Sequence, residues 1–502
     1  MVKEELKYRI LESLGLSPTP EQAYAAGVFA DFLSDRHEQC VMVLRGSAGT
    51  GKTTLAAAIV RTLKSLNQKL VLLAPTGRAA KVFSLYADTP AYTIHRRIYR
   101  QRTAGSLDAF ALNFNSAHDT LFIVDEASMV SNGGDGTFGS GRLLDDLMQF
   151  VYGGAFAGPL SSSSAAPANC RLLLIGDQAQ LPPVGEVESP ALMASVLRGY
   201  GMKVYEASLS QVLRQSESSG ILWNATAIRG GVWSTERAGH DGQGGVPTAL
   251  PQIRFQGFDD IHCVPGDELI EQLSSSFSRV GLDDTIVITR SNKRANIYNQ
   301  GIRNTILDRD EELCRGDRLM VVKNNYYWKP TPSETHSPSA GGGAFIANGD
   351  VAVVQRVRNI HEQYGFRFAE VTLLFPDYDD AEMTAMVLLD TLHSEAPSLT
   401  REQQQQLYER VMEDYADVAT KSQRLKQLKE DRYYNALQVK FAYAVTCHKA
   451  QGGQWAHVYL DQGYMTDDML GPDYLHWLYT AFTRATEQLY LVNWPRTQVS
   501  AV

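Results

Sequence analysis

A glycine-rich segment near the start of the chain has the residue types that bind phosphate groups. It follows the apolar run Val41–Leu44 and precedes a segment of helical composition. Backbone N–H groups of such a loop, and of the helix it opens, surround the phosphates of a nucleotide. We predict that Lys52 reaches the β- and γ-phosphate oxygens and that the Thr53 hydroxyl ligates Mg²⁺. The predicted nucleotide-binding residues are Gly46, Ser47, Ala48, Gly49, Thr50, Gly51, Lys52, Thr53 and Thr54.

Two adjacent acids, Asp125 and Glu126, follow a second apolar strand pattern. Hydrolysis at a phosphate-binding loop needs one acid that holds Mg²⁺ through its coordination shell and one that orients and polarises the attacking water. We assign the first role to Asp125 and the second to Glu126. A third apolar run ends in the segment Gly176–Val184, in which the amide of Gln180 is expected to sense the γ-phosphate. Together these residues predict a nucleoside triphosphatase.

The elements that must position these residues follow an alternating pattern of short apolar strands and helical stretches. Such alternation predicts an α/β fold, with parallel sheets covered by helices on both faces. The pattern occurs once in each half of the chain, so two stacked α/β units are expected. The predicted strands are Val41–Leu44, Leu70–Ala74, Thr120–Asp125, Arg171–Gly176, Thr285–Thr289, Leu437–Thr446, Ala456–Leu460 and Gln488–Val492.

An insert with a different pattern interrupts the second unit. Leu313–Val322, Ala347–Val354 and Phe366–Phe375 read as antiparallel strands of a small barrel. Thr400 to about Asn435 reads as one long helix that begins with a capping box, and we expect it to cover the barrel rather than to act as a functional arm.

Composition sets the limits on the class of protein. A chain of 502 residues is expected to form two or more domains. The sequence has no apolar run of membrane-spanning length and no signal-peptide pattern at its start, and its five scattered cysteines match neither a metal nor a disulfide pattern, which favours a cytoplasmic protein. The net charge of −9 does not exclude a nucleic-acid partner, because basic residues cluster locally.

A set of motifs in sequential order resembles the helicase motifs of superfamily 1, and most closely those of the RecD, Dda and Pif type, whose members move 5′→3′ on single strands. The resemblance implies two RecA-like domains. These would be residues 1–205, with a short accessory insertion at about 84–118, and residues 206–502, with a barrel and helical insertion at about 313–436. The motifs are Gly46–Thr54, Ala74–Ala80, Val124–Ser128, Gly176–Val184, Val212–Gln215, Thr446–Gly452 and Tyr479–Arg484.

The same resemblance implies roles for residues outside the phosphate loop. Gln22 would recognise adenine, Gly452 would join the nucleotide site, and Arg214 and Arg484 would approach the γ-phosphate from the second unit. Arginines supplied across a cleft make hydrolysis depend on its closure. The residues expected to contact a nucleic-acid strand are Thr76, Arg78, His95, Pro182, Thr446 and His448.

The accessory insertion is barely long enough for a strand-separating hairpin. We therefore expect Tyr99, Phe110 and Phe114 to have core roles rather than to form a wedge between strands.

The leading hypothesis is an ATP- and Mg²⁺-dependent DNA helicase that moves 5′→3′ on single-stranded DNA and unwinds duplex junctions. It is expected to be a monomer with no membrane partner, active in replication, recombination or repair. Two alternatives stay open: a helicase acting on RNA or RNA–DNA hybrids, because a groove that reads backbone and stacked bases need not exclude ribose, and a nucleotide-loaded scaffold with negligible turnover.

Overall fold

The computed structural model describes residues 3–37, 39–101, 110–133, 140–153, 169–212, 218–240, 251–328, 346–378, 380–466 and 469–500, with residues 101, 110 and 233–240 described by their backbone alone. The helices in these ranges are α1 Lys3–Leu14, α2 Pro20–Ser34, α3 Lys52–Ser65, α4 Gly77–Ala87, α5 Ile94–Ile98, α6 Leu143–Tyr152, α7 Ala194–Gly199, α8 Gly220–His240, α9 Leu269–Arg279, α10 Asn292–Gly301, α11 Arg401–Asp414, α12 Lys421–Glu430, α13 Cys447–Ala450 and α14 Pro472–Phe482.

The strands are β1 Cys40–Gly46, β2 Lys69–Ala74, β3 Ala91–Thr93, β4 Tyr99–Gln101, β5 Phe110–Leu112, β6 Thr120–Val124, β7 Arg171–Gly176, β8 Lys203–Leu209, β9 Ile261–Val264, β10 Thr285–Thr289, β11 Arg318–Val321, β12 Val351–Gln363, β13 Phe366–Phe375, β14 Ala381–Leu388, β15 Leu437–Phe441, β16 Ala444–Thr446, β17 Trp455–Asp461 and β18 Ala485–Val492. In the described ranges, every helix is too short or too polar to traverse a lipid bilayer.

The first unit is a parallel sheet in the order β3-β2-β6-β7-β1-β8. Its central strands are buried along their length, as expected for a sheet covered on both faces. The predicted RecA-like α/β architecture is confirmed here. Since β8 pairs with β1, a boundary at 205/206 would divide a strand of this sheet, and we propose that the first domain extends at least to Leu209.

The second unit is also a parallel sheet, in the order β16-β10-β17-β18-β9. One prediction is wrong: Leu437–Thr446 is not a single strand. It divides into β15, which belongs to the barrel, and β16, which pairs with β10 in the sheet. Gln438 and Lys440 alternate with apolar residues in β15, whereas residues 442–445 are continuously apolar, and no glycine or proline marks the change of partner between the two strands.

A closed barrel of β11 to β15 interrupts the second unit, as predicted. Its bounds differ from the expected ones. The strand in Leu313–Val322 is confined to β11, β12 begins later and extends to Gln363, and β14 was missed. Alternate residues of β14 are exposed in its first half, which is the pattern of a strand with one face toward the barrel core and the other toward solvent.

The predicted helix over Thr400–Asn435 is instead two helices, α11 and α12, with a break between them. Thr400 caps α11 with the expected capping box, and Thr420 caps α12 through the Gln423 N–H. The second cap starts a new helix and explains the break. Leu407 and Val411 pack with buried residues of β13 and β14, which confirms that this region covers the barrel.

The accessory insertion contains a short antiparallel pair, β4 with β5. Tyr99 is buried, and its hydroxyl donates to Asp146 at 2.7 Å, so its expected core role is confirmed. The same expectation is wrong for Phe114, whose side chain is 54% exposed. The side chain of Phe110 lies outside the described residues.

Candidate active site

Three neighbouring strands of the first sheet bring the predicted catalytic segments to one edge. β7 lies between β6 and β1, with Val124 aligned to Leu174 and Arg45 aligned to Gly176. Because these strands are parallel, the segments that follow them leave the sheet at the same end. The carboxyl edge of a parallel sheet is where ligands bind in open α/β folds.

The glycines of the first segment leave room for phosphates. Gly49 and Gly51 have φ angles of 75° and 80°, which favour glycine. A Cβ on Gly46 would lie 2.6 Å from the Lys52 Cγ and 2.9 Å from the Thr50 Oγ1, so only glycine fits beneath the lysine. The loop therefore has the tight, amide-lined shape that accommodates a phosphate group.

Lys52 lies at the first position of α3, over this loop. Its Nζ donates to the Ser47 carbonyl at 3.0 Å and lies 3.9 Å from the Asp177 Oδ2. Gln22 is buried and donates through Nε2 to the Thr50 carbonyl at 3.3 Å, while its Oε1 accepts the Thr19 N–H of a capping box. Gln22 thus lies against the loop, although its contact is with loop backbone.

The acidic pair lies at the end of β6. Asp125 accepts the Glu126 N–H at 2.8 Å, and Glu126 has a φ of 51°, in the left-handed region that side chains other than glycine rarely adopt. Burial, with a smaller contribution from the Glu126 charge, raises the pKa of Asp125 to about 7. A nearby cation stabilises the charged form of a buried carboxylate of this kind, so Asp125 is suited to bind Mg²⁺.

Two buried polar atoms near this edge have no hydrogen-bond partner among the described residues: the Gln180 Oε1 and the Ser128 Oγ. Buried polar groups are normally paired. Two unpaired polar atoms in this place fit a site completed by a ligand and its hydration. The described residues contain no cluster of three or more His, Cys, Asp or Glu side chains that could hold a metal alone. A Mg²⁺ ion here would therefore depend on phosphates and water, beside Thr53 and Asp125.

The second unit reaches this edge through α14 and the turn at Gln451. We call this set the loop-facing contact. The Tyr479 OH accepts the Ala48 N–H at 2.9 Å and donates to the Asp177 Oδ2 at 2.7 Å. Three further bonds hold the segment after β7: Leu181 N–H to Thr480 Oγ1 at 2.7 Å, Gln451 Nε2 to the Leu181 carbonyl at 2.7 Å, and His476 Nδ1 with the Ala179 carbonyl at 3.0 Å.

Arg484 lies at the end of α14 and is 2% exposed. Its guanidinium donates to the Thr480 carbonyl at 3.0 Å, the Gly453 carbonyl at 3.1 Å and the Thr483 Oγ1 at 3.1 Å. Arg484 therefore stabilises its own unit. The bonds described for its side chain do not include one to the phosphate loop. Its partner in the prediction, Arg214, lies outside the described residues.

The family comparisons agree with this arrangement. The UvrD-like helicase C-terminal domain matches residues 441–492, and an AAA domain matches residues 20–134. The ATP-dependent RecD2 DNA helicase of Deinococcus radiodurans is 30% identical over 39% of this chain and 23% of that protein. The ATP-dependent DNA helicase Dda of Enterobacteria phage T4 is 25% identical over 56% of each chain. Over these parts of its length the chain is similar to ATP-dependent DNA helicases of the RecD2 and Dda kind.

The chain spans 23% and 56% of the lengths of these two relatives. A solved structure of a Pif1 helicase from Bacteroides, in complex with ADP-AlF3 and single-stranded DNA, aligns over 97% of this chain and 95% of that chain. Its TM-score is 0.44 and its sequence identity is 13%.

A second contact joins the two units on the side of α4. We call it the barrel-facing contact. Arg78 stacks over the Trp455 ring at 4.1 Å and donates to the Gln454 carbonyl at 2.8 Å. Lys81 pairs with Asp377 at 3.2 Å and donates to the Pro376 carbonyl at 3.0 Å. Arg78, predicted to contact a nucleic-acid strand, is thus engaged by the second unit.

The other strand-contact candidates are dispersed over both units. Thr76 caps α4, and its Oγ1 lies 3.1 Å from where a Cβ on Gly452 would stand. Gly452, predicted for the nucleotide site, therefore lies against α4. His95 packs on Tyr99 with ring centroids 5.7 Å apart, and burial lowers its pKa to about 4. The remaining candidates are at the surface or partly buried: Pro182, Thr446 and His448.

Sequence reasoning quoted the motifs that contain Tyr479, Thr480, Gln451 and Asp177 but assigned these residues no role. Asp177 could have been found, because it follows a fully buried strand directly, as Asp125 does. The polar face of α14 gave a weaker signal. His476, Tyr479 and Thr480 share one side of that helix, but the sequence does not show which segment that side meets.

Proposed function

We propose that this protein is an ATP- and Mg²⁺-dependent DNA helicase that translocates 5′→3′ on single-stranded DNA and unwinds duplex. The observation that carries the proposal is the meeting of Lys52, Asp125 and Asp177 at one sheet edge with Tyr479 of the second unit. A motor needs nucleotide chemistry at a place where two units touch, because closure of the cleft is how hydrolysis produces movement.

The roles proposed for the site residues follow from their positions. Lys52 and the loop amides bind the phosphates, Thr53 and Asp125 hold Mg²⁺, and Glu126 orients water for attack. Bound MgATP supplies the phosphoryl group whose transfer to water releases free energy. Gln180 is proposed to respond to the γ-phosphate through a bound water, because its buried Oε1 is an acceptor with no partner among the described residues and a water can donate to it and to a phosphate oxygen.

The role assignments are tested by two substitutions. Lys52→Ala is expected to abolish turnover and to weaken ATP binding, because the ammonium contacts phosphate in the ground state. Glu126→Gln is expected to abolish turnover while ATP binding persists, because its carboxylate acts on the water. Isothermal titration calorimetry with ATP separates the two. Equal loss of ATP affinity in both variants would contradict the roles.

Polarity and substrate are tested with tailed duplexes. Resemblance to the RecD/Dda/Pif branch predicts that a duplex with a 5′ single-stranded tail is unwound and one with a 3′ tail is not. Binding of single strands should be nearly independent of sequence and should weaken steeply as salt rises, because backbone phosphates dominate the affinity. Unwinding from the 3′ tail alone would overturn the polarity. Stronger ATPase stimulation by RNA than by DNA would favour an RNA helicase.

A further inference from the structure

The Tyr479 hydroxyl uses both of its hydrogen-bonding functions at the phosphate loop. It accepts the Ala48 N–H and donates to the Asp177 carboxylate, and the side chain is 1% exposed. A phenol has one proton to donate and an oxygen that accepts. The residue therefore ties a loop amide of the first unit to α14 of the second unit.

Asp177 extends this tie to the lysine of the loop. Its Oδ1 accepts the Ala179 N–H at 3.0 Å, and its Oδ2 faces both the Tyr479 hydroxyl and the Lys52 ammonium. Two groups suited to phosphate oxygens, the Ala48 N–H and the Lys52 ammonium, are thus both near the Tyr479–Asp177 pair.

The same face of α14 holds the segment that follows Asp177. Thr480 accepts the Leu181 N–H, and the His476 ring bonds with the Ala179 carbonyl. These residues lie three and four positions apart, so they move together with the helix. A displacement of the Tyr479 hydroxyl must therefore strain or shift the bonds to Ala179 and Leu181.

We infer that Tyr479 is a positioning residue that competes with a nucleotide phosphate for the Ala48 N–H. Nucleotide binding at the loop thereby weakens the hydrogen bonds between α14 and the segment Asp177–Leu181. A phosphate oxygen is charged and accepts more strongly than a neutral hydroxyl, so it displaces the phenol. The inference rests on the proposed nucleotide binding at this loop. Release of Tyr479 then weakens the loop-facing contact, so that the second unit responds to nucleotide binding.

The test compares Tyr479→Phe with Tyr474→Phe in the full chain. Tyr474 is a buried tyrosine of the same helix whose hydroxyl lies within hydrogen-bond distance of the Gln462 and Gln498 side chains, away from the loop. Binding of ADP with Mg²⁺ is measured by isothermal titration calorimetry. Tyr479→Phe removes the competitor and is expected to bind ADP about 2- to 10-fold more tightly, the range of one net hydrogen bond. Tyr474→Phe is expected to bind ADP as the unchanged protein does.

A purely structural role for Tyr479 predicts weaker binding, since loss of support disorders a loop. Unchanged or weaker ADP binding by Tyr479→Phe would therefore overturn the inference, and so would an equal gain in Tyr474→Phe. If the unchanged protein binds no ADP, the proposed nucleotide site fails instead, which is a separate result.

A measurement on the unchanged protein covers the case in which Tyr479→Phe does not fold. Hydrogen exchange followed by mass spectrometry reports the protection of the segment Asp177–Leu181, whose Leu181 N–H is held by Thr480. Saturating ADP with Mg²⁺ is expected to speed exchange in this segment while slowing it in the loop Gly46–Gly51. Slower or unchanged exchange at Asp177–Leu181 would overturn the competition.

Discussion

The loop-facing contact is buried and made mostly of hydrogen bonds to backbone groups, whereas the barrel-facing contact is partly exposed and depends on charged side chains. Tyr479 and Thr480 are at most 1% exposed, while Lys81 keeps 44% of its side chain exposed and pairs with an Asp377 that keeps 15%. Buried bonds to backbone amides require one geometry, because a displaced donor has no water to replace its partner. An exposed ion pair tolerates movement at little cost.

This difference suits two tasks. Under the proposed function, a contact beside the phosphate loop reports on nucleotide binding and must distinguish small displacements. A contact beside the barrel must hold the units together while they move. Arg484 serves both, because it donates to Thr480, which bonds into the first contact, and to Gly453, which adjoins the Gln454 carbonyl of the second.

The largest effect is expected from Arg484→Lys. A lysine cannot form the planar fork that reaches Thr480, Gly453 and Thr483, so buried acceptors lose their donors. We expect a loss of about 2 to 4 kcal/mol in the free energy of unfolding, as for other buried charged hydrogen bonds. Chemical denaturation measures it, and the exposed Arg496→Lys is the matched control.

The same variant decides between two roles for this arginine. Loss of stability accompanied by weakening of both contacts supports a structural role for Arg484. Unchanged stability with ATP hydrolysis reduced by orders of magnitude would instead support a γ-phosphate finger, as the family motif implies.

A smaller loss is expected from Thr480→Val. Valine keeps the shape of threonine but leaves the buried Leu181 N–H without its acceptor, which costs about 1 to 3 kcal/mol. Since the bond is buried and uncharged, the shift in thermal midpoint should be the same at low and high salt. Thr486→Val is the control, because Thr486 is exposed and its hydroxyl donates within its own unit to the Trp455 carbonyl. Equal shifts in both variants would show that the hydrogen bond from the Leu181 N–H to Thr480 adds nothing to the stability of the protein.

Much of the fold could be predicted because the two parallel sheets depend on apolar strands with simple patterns. The strands that carry the phosphate loop and the acidic pair were predicted almost to their ends, since burial on both faces leaves a continuous apolar run. Leu437–Thr446 was mistaken for one strand because no glycine, proline or other turn residue separates β15 from β16. The break between α11 and α12 was missed because Val418 continues the apolar spacing, and only the Thr420 cap opposes it.

The site was predictable to a different extent. The roles proposed for Lys52 and Glu126 each follow from the residue types of the short segment that contains the residue. The partners of Arg78 and Tyr479 lie more than 300 residues away in the chain, and no local pattern encodes which backbone group such a side chain meets. Arg78 illustrates the limit: a basic residue beside a predicted groove suits a phosphate as well as it suits the Trp455 ring.

The smallest effect is expected from Lys81→Met, which keeps the length of the side chain and removes its charge. The ion pair with Asp377 is partly exposed, so its loss should cost less than about 1 kcal/mol. Salt screens such pairs, and the shift in thermal midpoint should therefore shrink between about 0.05 M and 1 M NaCl, unlike that of Thr480→Val. Lys64→Met is the control, since the Lys64 ammonium donates within the first unit to the Asp88 carbonyl. A salt-independent shift for Lys81→Met, or one larger than that of Thr480→Val, would show that both contacts have the same character. In that case the units would be held rigidly on both sides, and the barrel could not move relative to α4 during the proposed cycle of hydrolysis.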